Sequence, residues 1–541
     1  MKKKMVLWLL VIGVLFTLTA CAQGKTENAV PEKTPESTTV QTEQESPSKN
    51  PEINPDDEIV LGDYRNIAPG LEDAYYCSVI LYVWEPLITM NEKGEPTAKL
   101  ATSWEMSDDA MTWTFHLREG VTFHDGESFN ADTVLYNFDR MRSEIKKSGF
   151  YSLNIDSFYP NLEDAKKIDP YTIQLTFTKP APSLLYTMTN FGSAMFSPKG
   201  FDEAYNFTGI AQGTGPFKIT ENVKDQYVLL ERNDQYWGEK AKAKTIRVKT
   251  IPDVNTRFSA MKSGEIMGVI DLKAITASLA TELIKDDHFD ITTTNSTMID
   301  FLCLNGKSAP FDDIRMRKAV SLLIDRDSIV QNIYLGYASP TTNILNYSTP
   351  FYKELPVSHD VNQAKTLAQE VLGDNRVSIK YLIQQDNSEQ KAEAEYIAAI
   401  LPEIGIDVSI ESYDWATIKS MMQEGQYGIA RAQQGLSNME AITIFKRFML
   451  SSGDQNINYS LVCDDPLVDS LIESADAELD MAKRQAIYDQ LQEISAETQP
   501  VLPLFNEKTL LVYNKKITGF KAQIYGLNLP DIGWHQGELS Q

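Results

Sequence analysis

Apolar and polar side chains alternate between residues 113 and 117, where Trp113, Phe115 and Leu117 fall on one side of an extended chain. This period of two predicts a half-buried strand. Glycine turn signals follow in the pairs at 119–120 and 125–126, and Asn130 is a favourable helix N-cap. The apolar side chains behind the cap share one helical face: Val134, Leu135, Phe138 and Met141. The stretch therefore predicts a hairpin that leads into an amphipathic helix, and no side chain in it indicates catalysis.

The same two periodicities recur through the rest of the chain. Apolar runs and alternations predict strands at 59–61, 173–177, 246–250, 299–303, 406–410 and 501–505. Apolar positions at helical spacing predict helices at 256–263, 325–334, 362–372, 389–401, 415–422 and 481–497. Strands that alternate with helices in this way are typical of an α/β fold.

The N-terminus has the pattern of a secretory signal. Three lysines at 2–4 precede an uncharged run from 5 to 19, which is too short for a comfortable membrane span. The run ends in Leu18-Thr19-Ala20-Cys21, which resembles a bacterial lipobox. That resemblance implies a signal peptide at 1–20, cleavage before Cys21 and diacylglycerol on its thiol. The alternative is an ordinary signal peptide followed by a coincidental cysteine.

Residues 21–57 form a second compositional zone. They are rich in Pro, Glu, Thr, Ser, Gln and Lys and contain almost no large apolar side chain. Such a segment buries too little surface to offset the entropy of ordering, so it predicts a disordered tether. The sequence beyond the tether is long enough for a large core and more than one domain.

Charge and cysteine content narrow the function classes. The net charge is −25, which argues against nucleic-acid binding. Besides Cys21 the chain has Cys77, Cys303 and Cys463, and this odd number without CxxC spacing indicates no disulfide framework or zinc motif. One pair among the three remains able to form a bridge.

Motifs for catalysis and metal binding are absent from the sequence. The five histidines lack metal-ligand spacing, and neither a G-x-S-x-G nor an H-E-x-x-H sequence occurs. The lysine spacing after the glycines at 213–215 does not fit a phosphate-binding loop. The sequence therefore predicts a protein that is not an enzyme and that uses no cofactor or metal of its own.

Several stretches together resemble extracellular solute-binding protein family 5, the binding components of peptide, nickel and opine ABC importers. Residues 117–126 read LREGVTFHDG, residues 213–217 read GTGPF and residues 232–240 read RNDQYWGEK. Residues 310–319 keep the Pro-Phe start and the later Asp, Arg and Ala of another segment of this family. The similarity runs from about residue 82 to residue 520.

The resemblance implies a two-lobed α/β fold of the periplasmic-binding-protein type (type II), with an enlarged N-terminal lobe and an interlobe cleft. On this interpretation residues 58–298 form lobe I, residues 299–510 form lobe II and residues 511–541 return to lobe I. The chain crosses between the lobes near 296–304 and near 510–518. Ligand is expected in the cleft, which closes by a hinge motion.

Candidate ligand-binding residues follow from their position in the resemblance. Tyr76 and Cys77 lie in the first segment, near where relatives contact ligand. Phe150 and Tyr151 follow the signature helix, where relatives place an aromatic ring over the ligand. The remaining candidates lie at or after the cleft strand and carry groups suited to carboxylate, amide or amine: Arg431, Gln433, Gln434 and Glu440. A purely packing role is the alternative for each of them.

The cleft loop departs from both main branches of the family. Peptide-binding members carry an Asp-Pro whose acid pairs with the peptide amine, and nickel-binding members carry a metal-binding His. This chain reads NMEAI at 438–442 and has no His between 360 and 534. Glu440 lies near the position of the missing acid and is a candidate replacement, the alternative being a solvated loop carboxylate.

The resemblance implies a lipid-anchored binding protein on the extracytoplasmic face of the cell membrane, monomeric, that delivers its ligand to an ABC permease. A short peptide is the favoured ligand, because peptides are the commoner ligand of the family. Nickel, another metal chelate or an opine is the alternative within the family. A ligand-sensing surface lipoprotein and a secreted hydrolase on a lipid tether are the alternatives outside transport.

Overall fold

The structure is a computed structural model, and it describes residues 54, 56–65, 80–143, 155–210, 212–385 and 387–535. The predicted signal peptide, Cys21 and nearly all of the predicted tether lie outside the described residues. The predicted strands and helices beyond residue 58 lie within them.

The described strands are short at the start of the chain and include two long ones near its middle and end. In chain order they are β1 (Ile59–Asp63), β2 (Ile88–Met90), β3 (Pro96–Ala98), β4 (Ala101–Met106), β5 (Thr112–Leu117), β6 (Leu162–Asp169), β7 (Thr172–Phe177), β8 (Phe217–Val223), β9 (Tyr227–Arg232), β10 (Thr245–Thr250), β11 (Phe289–Leu304), β12 (Ala338–Pro340), β13 (Val377–Gln384), β14 (Ile406–Tyr413), β15 (Ile429–Gln434), β16 (Leu502–Asn514), β17 (Ile517–Thr518) and β18 (Gly533–Trp534).

The described helices are concentrated in the second half of the chain. They are α1 (Ala131–Arg142), α2 (Ile155–Phe158), α3 (Leu184–Met188), α4 (Val254–Ser263), α5 (Ala277–Leu283), α6 (Ile314–Leu323), α7 (Arg326–Asn332), α8 (Val361–Leu372), α9 (Ser388–Ile400), α10 (Trp415–Gln423), α11 (Ile442–Phe448), α12 (Asp454–Asn458), α13 (Pro466–Ala477) and α14 (Met481–Thr498). Within the described ranges no helix is both long enough and apolar enough to cross a membrane.

These strands build two four-stranded sheets, one six-stranded sheet and two small hairpin-sized sheets. The four-stranded sheets have the orders β1-β10-β9-β8 and β4-β5-β7-β6, and both lie in the first half of the chain. The six-stranded sheet has the order β12-β16-β11-β15-β13-β14. Its strands β13, β14 and β15 run parallel to one another, and the helices between them form the crossovers. The architecture is mixed α/β, as predicted.

Three clusters of buried apolar side chains organise the chain. The first core takes its residues from 59–289 and from 510–532. The second core uses Ile299, Phe301 and Cys303 of β11, whereas the third uses Leu302 and Leu304. Because successive strand residues face opposite sides of a sheet, the second and third cores cover the two faces of the six-stranded sheet. We call the elements on the first core the first lobe, and those on the other two cores the second lobe.

Two long strands connect the lobes. Strands β11 and β16 pair antiparallel from the pair Phe289–Asn514 to the pair Leu302–Leu502, with an irregularity between Asn295 and Ile299. Phe289 is buried in the first core, and Leu302 and Leu502 are buried in the third. The paired strands therefore pass from one lobe to the other.

The strand and helix predicted around residues 113–141 are confirmed, but the predicted hairpin differs, because β5 pairs antiparallel with β4 and β7. Trp113, Phe115 and Leu117 are the buried residues of β5. The Asn130 side chain caps α1 by accepting hydrogen bonds from the backbone amides of Asp132 and Thr133. Around the second turn signal, at 125–126, the structure has a single antiparallel bridge, between Thr122 and Ser128.

The glycines at 213 and 215 are explained by close backbone packing. A Cβ atom on Gly213 would lie 2.0 Å from the carbonyl oxygen of Val83, and one on Gly215 would lie 2.2 Å from that of Tyr82. Only glycine allows this approach. The segment turns here and enters β8 at Phe217.

Candidate functional site

A polar cavity lies between the two lobes. Its volume is about 420 Å³, and the first lobe contributes residues 92–95 and Tyr186 to its wall. The second lobe contributes residues 347–350, and strand β11 contributes Thr294 and Asn295 where it crosses between the lobes. We call this space the interlobe cavity. The cavity lies beside the crossing strands. Movement of one lobe relative to the other there changes the space available to a ligand.

The loop at 436–440 brings the second lobe against the first beside this cavity. Asn190 of the first lobe donates a hydrogen bond to the Ser437 hydroxyl over 3.0 Å. The Tyr525 hydroxyl donates to the backbone carbonyl of Leu436. Gly94 approaches the side chain of Met439. This loop of the second lobe thus contacts the first lobe at three places beside the cavity.

Glu440 lies in this loop, and its carboxyl interacts with groups of both lobes, including the Ser183 hydroxyl of the first lobe. The residue is buried, and its Oε1 accepts hydrogen bonds from the Ile442 backbone amide over 3.2 Å and from the Tyr488 hydroxyl over 3.1 Å. Burial raises the pKa of the Glu440 carboxyl. Beside it, Arg484 reaches across to the first lobe and donates to the Ser183 hydroxyl over 2.8 Å. Glu440 does not line the interlobe cavity in this conformation.

Arg431 is the centre of a buried ion-pair network. Its Nη2 lies 2.7 Å from Oδ1 of Asp300, and its Nε lies 2.6 Å from Oε1 of Glu393. All three side chains are at most 3 % exposed. Tyr334 completes the network by donating to Oε2 of Glu393 over 2.9 Å. The guanidinium therefore has two carboxylate partners inside the protein.

The two glutamines of β15 are also held by neighbouring cations. The Oε1 atom of Gln433 accepts a hydrogen bond from Lys273, which belongs to the first lobe. The Oε1 atom of Gln434 accepts from Arg447 over 2.8 Å, and its amide donates to the carbonyl of Gly435. The structure thus brings Arg431 and Gln433 into one polar region, and separates Gln434 from it. Direct ligand contact by these residues stays a prediction.

Four other candidates and the lipidation site lie outside the described residues: Tyr76, Cys77, Phe150, Tyr151 and Cys21. Their predicted roles therefore remain predictions. Of the other cysteines, Cys303 is buried and Cys463 is half-buried, and both are free thiols. Burial raises the pKa of the Cys463 thiol to about 12, so this group is an unreactive thiol at neutral pH.

An ionic contact between the lobes was not foreseen from the sequence. The Lys273 ammonium lies 3.2 Å from Oε2 of Glu507, whose side chain is 17 % exposed. The backbone amide of Ala277, at the start of α5, donates to Oε1 of Glu389 over 2.9 Å. Burial, opposed by Lys273 and reinforced by Asp300, raises the pKa of Glu507 to about 7. Two carboxylates of the second lobe thus interact with the first lobe: Glu507 with the Lys273 ammonium, and Glu389 with the N-terminus of α5.

A smaller cavity of about 140 Å³ lies in the first lobe, next to the interlobe cavity. Glu85 lines this cavity; it is buried and accepts hydrogen bonds from Tyr236 over 2.6 Å, Trp237 over 3.0 Å and Thr214 over 2.8 Å. Lys99 completes the group at 3.0 Å from Oε1 of Glu85. We call this space the first-lobe cavity. Three of its members, Thr214, Tyr236 and Trp237, lie in the segments 213–217 and 232–240 that resemble the family in sequence.

The chemistry of the described site is that of non-covalent capture. Among the described residues no three His, Cys, Asp or Glu side chains are grouped to hold a metal ion. The groups around the interlobe cavity are hydroxyls, amides and charged side chains, which bind a polar ligand through hydrogen bonds and ion pairs. Two lobes joined by paired strands, with a polar cavity between them, define a two-lobed ligand-binding protein.

Comparison with known proteins gives the family. The family model described as bacterial extracellular solute-binding proteins, family 5 Middle, matches residues 95–456, more than half of the chain. The chain belongs to this family of extracellular solute-binding proteins. Membership confirms the predicted family and places the binding domain outside the cytoplasm.

Individual relatives agree with this assignment. A dipeptide-binding protein from Escherichia coli (strain K12) is 26 % identical over 454 residues, which cover 79 % of this chain and 84 % of the relative. The structure of the periplasmic binding protein DppA from Helicobacter pylori, in complex with the peptide STSA, matches with a TM-score of 0.73 at 24 % identity, covering 89 % of this chain and 98 % of that one.

A second similar structure was solved in complex with a metal chelate. NikA from Brucella suis, in complex with Fe(III)-EDTA, matches with a TM-score of 0.80 at 23 % identity, covering 89 % of this chain and 100 % of that one. These structural similarities confirm the two-lobed α/β fold predicted from the sequence.

Proposed function

We propose that this protein is the substrate-binding component of an ABC importer, and that it captures a short peptide in the interlobe cavity and delivers it to a membrane permease. The observation that carries the proposal is the polar cavity of about 420 Å³ between two lobes that are joined by a pair of crossing strands. A volume of this size accommodates a ligand of a few residues. The similarity to a dipeptide-binding protein over most of both chains supports the peptide class.

The proposed mechanism is capture by hinge closure. The lobe boundaries at 298/299 and 510/511 are part of the proposal, and the distribution of buried residues supports them: Phe289 and Leu511 pack in the first core, Ile299 in the second and Phe505 in the third. Contacts of the Asn190–Ser437 kind form when the lobes approach each other. Bound ligand stabilises the closed arrangement by adding contacts that bridge both walls.

The anchoring of the protein is also proposed. Cleavage before Cys21 and diacylglycerol on its thiol would tether a monomeric binding domain to the outer face of the cell membrane through residues 21–57. The support is the sequence Leu18-Thr19-Ala20-Cys21 after an uncharged run. Replacement of Cys21 by alanine should release the protein from the membrane fraction. Retention of Cys21→Ala in that fraction would overturn the anchor.

Ligand class is tested by thermal unfolding of the purified chain with candidate ligands. Each ligand is added at a hundredfold excess over a 10 µM-scale Kd, where binding to the folded state alone stabilises it by about 2.7 kcal/mol. Di- and tripeptides should raise the melting temperature, and nickel or iron chelates should not. A melting temperature that rises with chelates alone would show that the ligand is a metal chelate. Formation of a product from an added peptide would indicate a hydrolase.

A further inference from the structure

The first-lobe cavity has a wall that is mainly apolar and aromatic. Trp84, Pro86, Met90 and Pro216 contribute apolar surface from the body of the lobe, and Tyr525 contributes an aromatic ring from the C-terminal segment. The volume of about 140 Å³ is close to that of an engineered protein cavity, about 150 Å³, that binds benzene. A space of this size and lining fits one leucine, methionine or phenylalanine side chain.

The charged residues at the cavity are already neutralised. The Glu85 carboxylate accepts three hydrogen bonds and lies 3.0 Å from the Lys99 ammonium. Lys99 also donates to the Tyr236 hydroxyl over 3.2 Å and lies 5.3 Å from the centre of the Trp237 ring. A charged ligand group would find no unpaired counter-charge here and would lose its hydration. The cavity therefore favours an uncharged, apolar group.

The cavity is placed next to the proposed peptide site. Ile524 lines both the first-lobe cavity and the interlobe cavity. Tyr525, beside it, is hydrogen-bonded to the backbone of Leu436 in the second lobe. Thr189 lines the first-lobe cavity and immediately precedes Asn190, which contacts Ser437. A ligand backbone in the interlobe cavity would thus lie next to the apolar space, with Ile524 between them.

We propose that the first-lobe cavity is a specificity subsite that receives one apolar or aromatic side chain of the bound peptide. The inference rests on the proposed function and adds the class of peptide that this site prefers. Burial of a leucine or phenylalanine side chain increases affinity by roughly ten- to hundredfold over alanine. Acidic and basic side chains at the same ligand position gain nothing from the cavity.

The test is calorimetric titration of the full chain with two dipeptide series, Ala-X and X-Ala, where X is Ala, Leu, Phe, Asp or Lys. In one series Leu and Phe should bind at least about tenfold more tightly than Ala, and Asp and Lys should not. Met90→Trp fills the cavity, so it should remove this advantage while Ala-Ala binding stays within about threefold. Thr89→Phe, at another lining residue, provides a second filled variant should the first fail to fold.

The matched control is Ala98→Trp. Ala98 lies on the paired strand of the same hairpin, is exposed and does not line the cavity, so this variant should keep the preference for Leu and Phe. Equal affinity for Ala, Leu and Phe in the unmodified protein would overturn the subsite, as would a preference that survives in the folded filled variants. Failure of every dipeptide to bind would instead overturn the proposed function, and the subsite with it.

Discussion

The buried position of Arg431 leads to a prediction about stability. The Arg431→Met variant keeps much of the side-chain volume but removes the positive charge. Asp300 and Glu393 then remain buried without the guanidinium, which now lies 2.7 Å and 2.6 Å from their oxygens. A buried carboxylate without a counter-charge is strongly unfavourable, because it loses hydration and gains no ion pair.

The magnitude follows from the burial of the network. Arg431 is 1 % exposed, Asp300 3 % and Glu393 0 %, so solvent screens these charges poorly. Removal of one member of such a buried pair costs about 3–5 kcal/mol. Protonation of Glu393 limits the loss, since burial already raises the pKa of its carboxyl. The expected destabilisation of Arg431→Met is therefore about 3 kcal/mol at neutral pH.

The assay is urea unfolding of the unmodified protein and the variant, followed by tryptophan fluorescence. The control is Arg376→Met, which removes an ion pair to Asp407 whose side chains are 49 % and 48 % exposed. Because water screens this exposed pair, that change should leave the urea midpoint nearly unchanged. The triple variant Arg431→Met, Asp300→Asn, Glu393→Gln carries no buried charge in this network, so it should recover most of the lost stability.

One result would refute the structural role of Arg431. If Arg431→Met unfolds within about 1 kcal/mol of the unmodified protein while peptide affinity is lost, the guanidinium acts on the ligand and the buried network contributes little. A large loss of stability that is rescued by the triple variant, with peptide binding retained in the rescued protein, assigns Arg431 to the internal structure of the second lobe.

Three further predictions concern stability. Because the pKa of Glu507 is raised from 4.5 to about 7 in the folded protein, the folded state loses stability as pH rises from about 4.5 through 7. Glu507→Gln should reduce this pH-dependent loss by at most about 3 kcal/mol. An unchanged difference between the unfolding free energies at pH 5 and pH 8 would contradict this. Glu85→Gln should lower the free energy of unfolding by about 2–3 kcal/mol, because the hydrogen bonds to this buried group become weaker. The control Glu105→Gln, at an exposed side chain, should lower it by no more than about 0.5 kcal/mol. Equal urea midpoints for the two variants would disprove the prediction. Gly213→Ala should cost at least about 1–3 kcal/mol, because its Cβ would lie 2.0 Å from a carbonyl oxygen, whereas Gly209→Ala meets no atom within 4 Å and should be nearly neutral in thermal unfolding.

Local structure was largely predictable from the sequence because its causes are local. The buried residues of β5 follow a period of two, and the cap of α1 needs only Asn130 and the next few amides. The helix at 256–263 was predicted to end at Gly264, and the structure has α4 ending at Ser263 with Gly264 at a φ of +76°. Each of these features depends on residues within one or two turns of chain.

The environment of the candidate site depends on contacts between distant residues, which the sequence pattern does not encode. Arg431 was a candidate ligand residue because of its position after a cleft strand, but its partners lie 38 and 131 residues away. The Glu85 network joins residues up to 152 positions apart. The segments expected at the cleft stay predictions from the sequence, whereas the pairing of these charges emerged only from the fold.

The central claim, capture of a peptide between the lobes, is tested most directly by native mass spectrometry. The full chain is purified without denaturant, incubated with an equimolar mixture of di- to pentapeptides together with a nickel chelate, and transferred to volatile buffer. The account predicts a one-to-one adduct with the mass of a peptide, which denaturation releases as free peptide. A chain that stays unliganded in the mixture, or that retains the chelate in place of peptide, would contradict it.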